Sequence, residues 1–164
     1  MRVVLCIAMV VFGAFIVVGC ATQEPAVFLK SDFSGSVPLT YAVISLVDGN
    51  DEKYRSEFPQ ASLIVASALE TALMKTGLQL VVVGKEDVSL IGIVSSYYRG
   101  SFLCQNTTVA LSIKAVEKKT GSVLWTASYA KTKKWHYSYE PAILAQEVTN
   151  ELVKKLVNTG KLHQ

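Results

Sequence analysis

The stretch "TTVALSIKAVEKKTGSVLWTASYAK", Thr107 to Lys131, decides the fold. Its first half sets Val109, Leu111, Ile113 and Ala115 against Thr108, Ala110, Ser112 and Lys114, the period-2 pattern of a strand with one buried face. "EKKTGS" then supplies a polar turn with a glycine, and "VLWTASYAK" returns with Val123, Trp125, Ala127 and Tyr129 on one side. Two alternating runs joined by a short turn predict an antiparallel hairpin.

Working outward, "VSLIGIVSSYY" (Val88 to Tyr98) and "YAVISLVDG" (Tyr41 to Gly49) predict two further strands, and "LQLVVV" (Leu78 to Val83) a short, nearly continuous apolar one. Between them the period changes. Ala61, Ile64, Val65, Ala68, Leu69, Ala72 and Leu73 recur at helical spacing, with Pro59 at the entry and Gly77 at the stop. A second amphipathic helix opens at Pro141, carries Leu144, Ala145, Val148, Leu152 and Leu156, and ends at Gly160. The order β-α-β-β-β-β-α predicts an α+β fold: a two-layer domain with a mixed or antiparallel sheet and two helices packed on one face.

At 164 residues the chain holds one ordinary domain. The mean hydropathy of +0.35 is raised mostly by the N-terminus, where Arg2 is the only charge before Glu24. Such a run is long enough for a helix to cross a bilayer, so an uncleaved anchor is one reading. The other follows from its three-part order: basic Arg2, apolar Val3 to Val18, then Val17, Val18, Gly19 and Cys20 in the places of a bacterial lipoprotein signal, which this segment resembles. The expected organisation is a signal peptide over 1–19, a lipidated Cys20 and flexible tether over 20–40, and a periplasmic domain over 41–164. Pro25, Ser34, Gly35, Ser36 and Pro38 give the tether its composition.

Cys6 leaves with such a signal and Cys20 carries lipid, so Cys104 is left as the only thiol and no intramolecular disulfide is expected. Loss of Arg2 lowers the formal net charge from +3 to +2, and no basic stripe marks a nucleic-acid surface. "SYAK" at Ser128 to Lys131 and "KTG" at Lys75 to Gly77 and Lys119 to Gly121 match motifs of penicillin-recognising serine enzymes. On a strand, however, Ser128 and Lys131 fall on opposite faces, and each KTG has a plain job in ending a helix or turning a hairpin. His136 and His163 lack a second ligand at metal spacing. Neither an enzyme, a metal nor a cofactor is expected.

The segment left over is "KTKKWHYSYEP", Lys131 to Pro141, in which Trp135, Tyr137 and Tyr139 stand beside Lys133 and Lys134. Aromatic and basic residues together mark protein interfaces, and these five are the candidate partner-binding residues. A cap over the core where the last strand leaves for the helix is the competing reading.

The signal, the helix ending "ALETALMKTG", the strand "LQLVVVG" and above all "KKTGSVLW" between two strands together resemble the curli-secretion lipoprotein family. They also resemble the lipoprotein activators of penicillin-binding proteins, which share a fold similar to the N-terminal domain of TolB. The resemblance spans about Tyr41 to Gly160. It implies a non-enzymatic lipoprotein of the outer membrane, facing the periplasm, that binds an envelope protein as an assembly or secretion accessory. Activation of a peptidoglycan synthase, or a self-assembling, ring-forming role in a secretion complex, are the alternatives. Neither Gly84 to Asp87 nor Arg99 to Asn106 has room for the long hairpins from which the secretion-channel branch builds its pore.

Overall fold

The computed structural model describes residues 26–29, 39–99, 106–134 and 140–159. They form a five-stranded mixed sheet of β1 (Ala26–Leu29), β2 (Tyr41–Asp48), β3 (Val88–Arg99), β4 (Asn106–Glu117) and β5 (Val123–Lys134), in the order β1-β5-β4-β3-β2. Every neighbouring pair is antiparallel except β2 and β3. The helices are α1 (Glu52–Glu57), α2 (Ala61–Met74) and α3 (Pro141–Asn158). The α+β architecture is the expected one.

The hairpin predicted from Thr107 to Lys131 is the centre of the sheet. Val109, Leu111, Ile113 and Ala115 of β4 are all buried, and Trp125, Ala127 and Tyr129 of β5 share their side. Val123 does not, being 40% exposed: a register shift opposite Ala115 and Val116 turns Leu124 inward in its place. The turn closes on Gly121 at φ 69°, where its amide donates to Glu117 O at 2.8 Å.

The buried residues of α2 are Ala61, Val65, Ala68, Leu69, Ala72 and Leu73, and Gly77 follows it at φ 81°. From α3 come Leu144, Ala145, Val148, Thr149, Leu152, Val153 and Leu156. The two helices pack on each other and on the sheet. Thr149 is accommodated inside because its hydroxyl donates back to Ala145 O at 2.9 Å. At about 25 cal/mol per Å² of apolar surface, each fully buried leucine contributes about 2 kcal/mol.

Three details depart from the sequence reading. Leu78 to Val83 is no strand: Tyr41 donates to Gln79 O at 3.0 Å and accepts from Val81 N at 2.9 Å, leaving one isolated bridge between Tyr41 and Leu80. The run then turns out, with Val82 and Val83 76% and 56% exposed, because a continuous apolar stretch carries no periodicity to say which side faces the core. Conversely, Ala26–Leu29, which composition placed in the tether, pairs with β5 from Ser128 to Trp125. Four residues are too few to show alternation, and the strand exists because β5 offers it a ladder. The short α1 is additional and buries no residue.

At the junction of β2 and β3, Asn50 is 3% exposed. Its Oδ1 accepts from Tyr97 N at 2.6 Å, just past a bulge between Val94 and Ser96, while Gly49 N donates to Val94 O at 2.9 Å. Asn50 thereby satisfies a backbone donor near the bulge. In the middle of β3, Gly92 lies so close to β4 that a Cβ there would collide with Ser112 O and approach Ile113 Cα to 3.1 Å.

Candidate partner-binding surface

Helices α2 and α3 cover one face of the sheet. On the other, the cross-strand partners Val47, Ile93, Ser112, Ser128 and Ala26 form one row. Ser45, Ile91, Lys114 and Thr126 form the next. Gly92 and the small side chains leave a shallow depression walled by Ile91, Ile93, Lys114 and Thr126. Ile93 and Val47 are 49% and 59% exposed. Above them Thr108 and Thr132 hydrogen-bond at 2.9 Å across β4 and β5, and Tyr98 stacks on Tyr54 of α1 with ring centroids 4.7 Å apart.

Along the margin of β5 and α3 runs a charged network. Lys131 Nζ lies 2.6 Å from Glu151 and 2.9 Å from Glu147, Lys133 Nζ lies 3.4 Å from Glu147, and the Tyr129 hydroxyl donates to Glu151. Burial alone would push the Glu151 carboxyl up, but Lys131, Tyr129 and the nearby charge of Lys133 together hold it below the usual carboxylate range. Burial also opposes the charge on Lys131, and its two carboxylate partners override it and raise that ammonium. The Tyr129 phenol is pushed up to about 12, first by burial and then by Glu151.

The five candidate residues therefore separate. Lys133 belongs half-buried to the β5–α3 network, whereas Lys134, the next residue, faces the opposite side and is exposed. Trp135, Tyr137 and Tyr139 lie outside the described residues, as do Cys20, Cys104, His136 and His163. Glu147 and Glu151, four apart on a helix, stand beside Lys131 and Lys133, two apart on a strand, a spacing legible in the sequence as a signal for such a clamp.

Ser128 stands on the uncovered face while Lys131 is held by the glutamates of α3, so the S-x-x-K pair cannot cooperate. Both KTG glycines serve positive-φ turns. Among the described residues no group of three His, Cys, Asp or Glu side chains could hold a metal ion, and no helix is long and apolar enough to cross a membrane.

No family model and no curated protein matches this chain. Solved structures do. This arrangement of sheet and helices is similar to that of PelC. The PelC dodecamer from Paraburkholderia phytofirmans superposes with a TM-score of 0.63 at 15% identity, over 78% of this chain and 96% of that one. The protein XCC0632 from Xanthomonas campestris superposes with a TM-score of 0.57 at 14% identity, over 85% and 96% of the two chains. Identities this low show a shared fold and nothing finer.

Proposed function

We propose that this chain is a non-enzymatic lipoprotein, acylated at Cys20 and held on the periplasmic side of the outer membrane, whose α+β domain binds another envelope protein as an accessory in assembly or secretion. The observation that carries the reading is the one-sided sheet. Its helix-covered face is closed by a continuous core, while Val47, Ile91 and Ile93 stand on the other beside small polar side chains. That composition suits contact with a protein better than chemistry on a small molecule. The resemblance to curli-secretion and synthase-activating lipoproteins agrees with it, as does the lipoprotein-type junction at Gly19 and Cys20. The binding residues proposed are Trp135, Tyr137 and Tyr139 with Lys133 and Lys134, and the synthase-activating role is its closest variant.

Two measurements test this. Palmitate labelling lost in Cys20→Ser supports acylation, and labelling that persists refutes it. Tyr137→Ala that melts like the parent but no longer captures its envelope partner supports the interface. A destabilised Tyr137→Ala that still captures the partner places Tyr137 in a core cap instead.

A second reading, a ring of identical subunits, is favoured by the dodecameric state in which PelC was described. Mass measurement in detergent distinguishes a ring from a single processed chain.

A further inference from the structure

Resting on the proposed acylation of Cys20, we infer that the domain is held flush against the lipid headgroups by a leash of five residues, with the end of the sheet that carries Arg99 and Lys134 turned to the bilayer. The first strand begins at Ala26, inside the segment whose composition suggested a long tether. From Cys20 to Ala26 is six residue steps, at most about 20 Å fully extended. The strand cannot slide outward to lengthen this reach, because Ala26 is fixed in register opposite Ser128.

Ala26 is not at a tip of the domain. It lies level with Ser128, Ser112 and Ile93, the middle row of the sheet. From Ser128 to Lys134 at the end of β5 is again six residues, or about 20 Å at strand rise. A leash that starts mid-sheet and spans about 20 Å extends no farther than the end of β5. A domain of about 120 residues has a radius of gyration of about 14 Å, so acyl chains on Cys20 enter a bilayer only when the domain itself touches the surface.

Strand direction selects the end. Because β1 is antiparallel to β5, the backbone enters Ala26 from the side of Lys134, while the turn containing Lys119 lies at the other end of the hairpin. Arg99 is paired opposite Thr107, and Lys134 opposite Asn106, at that same end. A lipid surface is therefore the neighbour of this end, a leash this short keeps the domain at that surface, and the proposed partner would meet Lys134 there.

The test uses full-length acylated protein in lipid vesicles doped with a headgroup nitroxide, in a Cys104→Ser background. A fluorophore is placed at Lys134→Cys or at Lys119→Cys. Quenching at least several-fold stronger at 134 than at 119 is expected, and fifteen Gly/Ser residues inserted between Glu24 and Pro25 should abolish the contrast. Equal or reversed quenching overturns the orientation, and a contrast that survives the insertion overturns the leash as its cause. Intact mass separates the two levels of failure: a Cys20 without diacylglycerol ends the acylation reading and this inference together, whereas an acylated protein without contrast ends this inference alone.

Discussion

Lys131 and Glu151 meet at 2.6 Å across the boundary between sheet and helix, with Glu147 one turn earlier on α3 at 2.9 Å from the same ammonium. The Glu151 carboxyl is held below its ordinary range, so its stabilising contribution is complete above about pH 5 and is lost as pH falls through its lowered folded value. Glu151→Gln should flatten the fall of Tm between about pH 5 and 3. At neutral pH its cost should stay below about 1 kcal/mol, because 43% of that side chain is exposed and solvent screens the pair. Melting curves across that range check both.

On the alkaline side the sign reverses. Lys131 and Tyr129 are raised, so what they add is intact below about pH 10 and fades as pH rises through their folded values. Absorbance titration of the tyrosines should show one phenol ionising near 12 that disappears in Tyr129→Phe.

Asn50→Ala should strand the amide of Tyr97, which now donates to Asn50 Oδ1 at 2.6 Å inside the fold. An unsatisfied buried donor costs about 1–3 kcal/mol. Denaturant midpoints of the alanine variant and the parent check this.

Gly92→Ala should destabilise by about 1–3 kcal/mol, since the added methyl meets the backbone of β4, which cannot swing aside as a flexible side chain would. Gly84→Ala is the contrast. Nothing lies within 4 Å of its Cβ position, so its cost comes from the backbone alone, at φ +101°.

Leu69→Ala should cost about 2–4 kcal/mol and Val148→Ala less, because both are fully buried where α2 and α3 meet the sheet and the valine vacates the smaller volume. Chemical denaturation of the two variants checks the order.

Periodicity made most of this legible. The stripe from Ala61 to Leu73, the stripe from Leu144 to Leu156 and the alternation from Val109 to Ala115 all face the core as their spacing predicts, Ile64 being the half-buried exception. What spacing could not show was decided by partners distant in sequence. Ala26–Leu29 becomes a strand only because β5 lies beside it, and Leu78 to Val83 fails to become one because β2 bonds it at Tyr41 alone. The same limit hid the role of Asn50, which is set by an amide 47 residues away. Of the candidate site, Lys133 and Lys134 looked equivalent as neighbours in a basic run, and only the pleat separates the one on Glu147 from the one in solvent.

The order of strands across the sheet also sets an order in time. β3, β4 and β5 are joined by short connections and close small loops, whereas β1 finds its place only against a strand about a hundred residues downstream. Closing a loop of that length is entropically costly before any contact rewards it, so the meander should form first and the first strand dock last. The part of the domain that emerges earliest during synthesis is thus the last to be seated, and until Trp125 has been made the segment from Ala26 to Leu29 has nothing to pair with. That delay leaves Ala26–Leu29 without a ladder until the meander has closed, and β5 then locks it down in one register.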